Sequence, residues 1–160
     1  MNKQSSKISR ITSSMLIICG VLVSGSIGWA QSISGFCSNR ILHGNYGFSV
    51  EGVVTPAPGV QVPIRGVAMT NFDGQGHLNQ VDHVVIPGAP APALDWTPGI
   101  GTYQVNADCT GTAHIDVPST GDFVNLRFVV TLLGNEIHTV VVAPFSGPDR
   151  AVTSVGIRLL

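Results

Sequence analysis

Lysine is absent beyond Lys7, and charged residues of both signs make up only 11% of the 160-residue chain. A basic face for nucleic acid is therefore excluded, because attraction to phosphates needs clustered Lys and Arg. Schiff-base catalysis by lysine and a phosphate-cradling P-loop fall with the same absence. There is no Gly-x-Ser-x-Gly elbow for a nucleophilic serine and no C-x-x-C pair for redox or metal chemistry. No apolar run approaches the roughly 20 residues of a membrane-spanning helix, and no long apolar stripe of helical period occurs. Yet hydrophobic residues are 44% of the chain, too many for disorder at so low a charge.

What is present begins with an address. Lys3, Lys7 and Arg10 precede an apolar run from Met15 to Val23, and Gly28-Trp29-Ala30 sets small residues at the two positions a signal peptidase reads. Residues 1–30 are expected to be a secretory signal peptide cleaved near Ala30, leaving a secreted or periplasmic product with no membrane span. Residues 31–44 form an N-terminal segment, and 45–160 the folded domain. With Lys3, Lys7 and Arg10 removed, five arginines face nine acids, a net charge of −4. Cys19 also leaves, so Cys37 and Cys109 remain as an even pair bound for an oxidising compartment, where a disulfide is expected.

From residue 45 onward apolar residues recur at every second position, and turn residues interrupt them about every ten. The clearest case is 123–132, where Val124, Leu126, Phe128, Val130 and Leu132 share one face and Asn125, Arg127 and Thr131 the other. Seven further strands are predicted at 45–54, 64–72, 77–86, 99–106, 110–117, 136–143 and 151–159. Tight hairpin signals at 73–76, 107–109 and 134–135 alternate mostly with longer connections at 55–63, 87–98 and 144–150; 118–122 is short. In an up-and-down sheet, odd and even connections lie at opposite ends, so one end is tight and the other elaborated. Cys37 and Cys109 both fall at the tight end. The fold class is all-β, an eight-stranded antiparallel up-and-down barrel, with a two-sheet β-sandwich as the alternative.

Three segments, Gly44-Asn45-Tyr46-Gly47-Phe48, Phe72-Asp73-Gly74-Gln75-Gly76 and the stretch from Gly101 to Thr112, carry a resemblance. They are similar to the small secreted bacterial calycin-like barrels of unknown function, whose better understood relatives are lipocalins and allene oxide cyclase-like barrels. The likeness runs from Leu42 to Val117 and rests on turn glycines and barrel aromatics, so it implies a fold and carries over no catalytic residue.

The candidate chemistry is sparse. His43, His77, His83, His114 and His138 include the local pairs Asp82-His83 and His114 with Asp116, but neither is a metal signature, and no metal or other cofactor is expected. Asp73 is explained by its turn. In a small barrel alternate residues face the lumen, so Glu51, Arg127 and His138 are candidate ligand contacts. Trp96, the one tryptophan beyond residue 30, is a fourth, on the proline-restrained 87–98 connection, either as a lid or tucked against the barrel. The leading functional expectation is a non-enzymatic barrel binding a small apolar or amphipathic molecule at its open end. The alternatives are an allene oxide cyclase-like isomerase, which needs Glu51, Arg127 or His138 to converge inside, and an envelope interaction protein without a pocket, its protein partner unspecified.

Overall fold

The computed structural model describes residues 36–90, 92–142 and 149–160; the expected signal peptide lies outside them. Eight antiparallel strands follow one another in chain order around a closed barrel: β1 (His43–Ala57), β2 (Val60–Asp73), β3 (His77–Val85), β4 (Thr97–Val105), β5 (Thr110–Val117), β6 (Asp122–Thr131), β7 (Glu136–Val142) and β8 (Asp149–Arg158). β8 returns to pair with β1, from Thr55↔Asp149 to Tyr46↔Arg158, so the sheet closes on itself and is not a two-sheet sandwich. The apolar face of each alternating strand turns inward, as with Phe48 and Val50 on β1 and Val124, Leu126 and Phe128 on β6. Among the described residues no helix is long and apolar enough to cross a membrane.

Two expected connections need correction. Residues 55–63 are not a long loop: β1 and β2 run on as a hairpin with only Pro58 and Gly59 between them. The prolines suggested a loop, but β2 has no β3 neighbour before Arg65, so Pro63 sits where its missing N–H breaks no ladder on that side. The register shift between Val54 and Ala57 absorbs Pro56. At the other site β8 already begins at Asp149, which shortens the expected 144–150 connection; residues 143–148 lie outside the described set.

The tight end is plugged. Residues 37–42 cross the base, with a single 3-10 turn at Asn39–Ile41, and Leu42 is fully buried beneath the barrel. Tyr103 Oη donates to the Leu42 carbonyl at 3.0 Å and to that of Asn39 at 3.2 Å, and Asn39 Oδ1 accepts the Val105 N–H at 2.7 Å. The Cys37–Cys109 disulfide ties the segment to the β4–β5 turn, with a Cα–Cα distance of 5.1 Å, and such a bond belongs in an oxidising compartment. On the far side Tyr46 Oη donates to the carbonyl of Gly134, a residue at φ +88° whose missing Cβ would lie 2.5 Å from the Ile41 carbonyl oxygen. Only glycine fits that contact.

The base turns supply their own polar partners. Asp73 Oδ1 accepts the backbone N–H groups of Gln75, Gly76 and His77 at 2.7, 2.9 and 3.0 Å, closing the β2–β3 hairpin. Those three donors favour the ionised carboxylate and, with the His77 ring, hold its pKa down at about 2.

Candidate ligand-binding site

Above the plug the barrel is hollow. A cavity of about 780 Å³ occupies the lumen, within the range of roughly 300–1,000 Å³ typical of small-molecule sites. Phe48, Phe72 and Phe128 close it below. Two of these rings lie over glycines on the neighbouring strand: a Cβ on Gly156 would come within 2.3 Å of the Phe48 ring, and one on Gly111 within 2.2 Å of Phe128. Aromatic–glycine pairs thus form the floor without filling the tube. The mouth is framed by Pro56, Ile86, Pro87, Thr97, Thr120 and Asp122.

The wall is mainly aliphatic, with two polar interruptions. On β2 and β3 a chain runs from Thr70 Oγ1, which donates to Gln80 Oε1 at 3.1 Å, through Gln80 Nε2, which donates to Asp82 Oδ2 at 2.9 Å. On β7 and β8 the Thr139 and Ser154 hydroxyls bond each other at 2.7 Å. In the ring of eight strands β1 separates the two polar groups, with β2 and β8 flanking it and β3 and β7 further round.

Asp82 is the distinctive group. Its Cα partners are Ala68 on β2 and Thr97 on β4, neither of them charged. Burial pushes its carboxyl above the ordinary range, opposed by the Gln80 hydrogen bond and by the charge of adjacent His83. His83 faces the other way, its Nδ1 on the Asp95 carbonyl and its ring 6.3 Å from Trp96. Because the raised pKa means the folded chain holds its proton more tightly, Asp82 favours the fold at low pH. That contribution is lost as pH rises through the folded pKa. Asp82→Asn, which can still accept from Gln80, is expected to melt above the parent protein at neutral pH and to converge with it below the ordinary Asp range, near pH 4. Thermal melts across that interval are the measurement, and a deficit for Asp82→Asn at neutral pH would contradict the burial argument.

The four residues anticipated as ligand contacts are not brought together. Glu51 is on the outer face of β1, 3.9 Å from Arg65, with both side chains about two-thirds exposed. Arg127 faces outward from β6 and His138 from β7, where His138 Nε2 meets Glu136 Oε1. Charged residues alternate with the apolar row, and the apolar row is the one that lines the lumen. Trp96 lies at the open end, 52% exposed beside His83 and outside the lumen lining.

Thr70, Gln80, Thr139 and Ser154 are lining polar residues that the sequence reading did not single out, and Asp82 was noted there only beside His83. The available signal was register: Gln80 and Asp82 share parity with Leu78 and Val84. Among the described residues no group of three or more His, Cys, Asp or Glu side chains is arranged to hold a metal ion. Comparison of the chain with protein-family models, with curated proteins and with solved structures found no match.

Proposed function

We propose that this chain is an exported binding protein that takes up a small apolar or amphipathic molecule through the open end of the barrel and holds it in the lumen without chemical change. The observation that carries this reading is the cavity itself, about 780 Å³ of largely aliphatic and aromatic wall, plugged at one end. Burying apolar ligand surface there yields roughly 25 cal/mol per Å² before the costs of association. The likeness to calycin-like barrels supports the same reading, as does the signal-like N-terminus. The cyclase-like alternative required Glu51, Arg127 or His138 inside the barrel; all three lie on its outer face, so that reading is not carried further. An interaction protein without a pocket is disfavoured by the cavity.

Diphenylhexatriene, a neutral hydrocarbon that is dark in water, tests the proposal. The mature chain is expected to bind it saturably at one site. Ala68→Phe, which projects a ring from the β2 wall into the lumen, is expected to weaken binding by about tenfold or more, the loss of roughly 1.4 kcal/mol. Absence of saturable binding, or equal binding by Ala68→Phe, would sink it.

A further inference from the structure

We propose that the mature chain pairs with a second copy of itself, as a two-fold symmetric dimer, through the outward face of β1 and β2. This inference stands apart from the lumen and its guest. Phe48 and Val50 on β1, and Ile64 and Ala68 on β2, line the lumen, so the residues between them face outward: Gly47, Ser49 and Glu51 opposite Met69, Val67 and Arg65. Each of these cross-strand pairs joins unlike partners. Gly47↔Met69 and Ser49↔Val67 set a small residue beside a large one, and Glu51↔Arg65 sets an acid beside a base.

That pattern is self-complementary. A two-fold axis laid along the β1–β2 ladder, in the plane of contact, places the second copy's β1 over β2 and its β2 over β1 without shifting either along the strands. Each cross-strand pair then meets its own reverse, as a contact between identical faces requires. Met69 and Val67 of one copy lie over Gly47 and Ser49 of the other, and each Arg65 faces the other copy's Glu51. One strand further out, where the barrel curves away, Ile157 pairs with Gly47 and Val81 with Met69, so the same axis brings Ile157 opposite Val81 of the second copy. Face-to-face sheets lie about 10 Å apart with strands within about 30° of one another, which suits this arrangement.

Exposure points to the same face. Val67 and Met69 are 51% and 44% exposed, and on the far side of β1 Val155 and Ile157 on β8, with Leu159 just beyond it, are 40% to 49% exposed. The β1 row between these two ridges is low: Ser49 is exposed, and a Cβ on Gly47 would meet nothing closer than Leu159 Cδ2 at 3.5 Å. A contiguous apolar face of this kind marks an interaction site. Its borders are polar, with His138 beside Val155, His83 beside Val67, and the Asn45–Asn71 pair below. Farther round the outer wall charge breaks up the apolar residues, as where Val140 pairs with Arg127 and Ile100 with Asp116. Within one chain Glu51 and Arg65 are 3.9 Å apart, beyond hydrogen-bond length, and both side chains are about two-thirds exposed. Arg65 Nη1 donates to the Ile64 carbonyl at 2.8 Å, which steadies the guanidinium at the surface. The charges are thus set to pair across the axis.

Sedimentation of the mature protein is the test. The parent chain is expected to dimerise reversibly. E51R and R65E, each first shown to be folded by its melting transition, are expected to raise the dissociation constant about tenfold or more, because each turns like charges against one another across the axis. Mixed in equal amounts, the two variants are expected to recover the dimer, since the acids of one then face the bases of the other. A parent chain that stays monomeric up to about 1 mM overturns the proposal. A dimer indifferent to both charge reversals overturns it too, as does a mixture that fails to reassociate. Should a charge reversal not fold, Val67→Asp at the middle of the row decides in its place, and an undiminished dimer there is equally fatal.

Discussion

Replacing both Cys37 and Cys109 by alanine is expected to lower the unfolding free energy by roughly 4 kcal/mol, from the chain-entropy model for a loop of this length. The bridge joins positions 72 residues apart, so its removal frees a large part of the chain in the unfolded state. A domain has only about 5–15 kcal/mol in total. The native side should change less, because other ties hold the plug: the Tyr103 hydroxyl on the Asn39 and Leu42 carbonyls, Asn39 on the Val105 amide, and the buried Leu42 side chain. The Cys109 carbonyl also accepts the Val130 N–H at 2.9 Å, a bond that needs no sulfur. Urea denaturation of C37A/C109A should show a lower midpoint with a steeper slope, the mark of a more expanded denatured state. Diphenylhexatriene should still bind where the variant is folded. A loss under about 1 kcal/mol would mean that the plug's hydrogen bonds alone constrain the chain and that the entropy model overstates the bridge. Loss of probe binding in the folded variant would mean instead that the plug has left the base.

Whether a strand of this barrel is legible in the amino-acid sequence depends on the contrast between its two faces. On β6, Val124, Leu126 and Phe128 stand against Asn125 and Arg127, so strand, parity and interior follow from the alternation alone. The eight strands and the two ends of the barrel were legible this way, and the glycine and aspartate turns marked the base. β3 is the opposite case. Polar residues fall on both faces, His77, Asn79 and His83 on one and Gln80 and Asp82 on the other, so the shared parity with Leu78 and Val84 is a weak pointer to the inward face. Register settles it, through Ala68↔Asp82 and Thr70↔Gln80, and register is a property of paired strands rather than of one strand's residues. Asp82 therefore looked like a partner of its neighbour His83, although alternation sends the two to opposite faces. Glu51, Arg127 and His138 attracted notice because charged groups so often bind ligands. In a barrel with an apolar lumen, however, strand charges belong on the wet side.

Phe72→Ala is expected to cost about 3–5 kcal/mol, the upper range for deleting a buried ring. Phe72 is only 6% exposed and stands edge-on to both Tyr46 and Tyr103, with centroids 5.3 and 5.0 Å away. Collapse into the vacated space is blocked, since each tyrosine is tethered by its hydroxyl, Tyr46 to the Gly134 carbonyl and Tyr103 to those of Asn39 and Leu42. The void would persist, and a persistent void is what makes such deletions expensive. Val84 provides the contrast: both residues border the cavity, but Val84 is only partly buried in its upper wall, whereas Phe72 is packed against the two tyrosines at its floor. Val84→Ala removes little packed surface and should cost about 1 kcal/mol or less. Urea denaturation of the two variants against the parent protein measures the difference. A penalty for Val84→Ala as large as that for Phe72→Ala would mean that the tube is closed and packed in solution. In that event the base would no longer be the part that holds the fold while the upper wall is kept open for a guest.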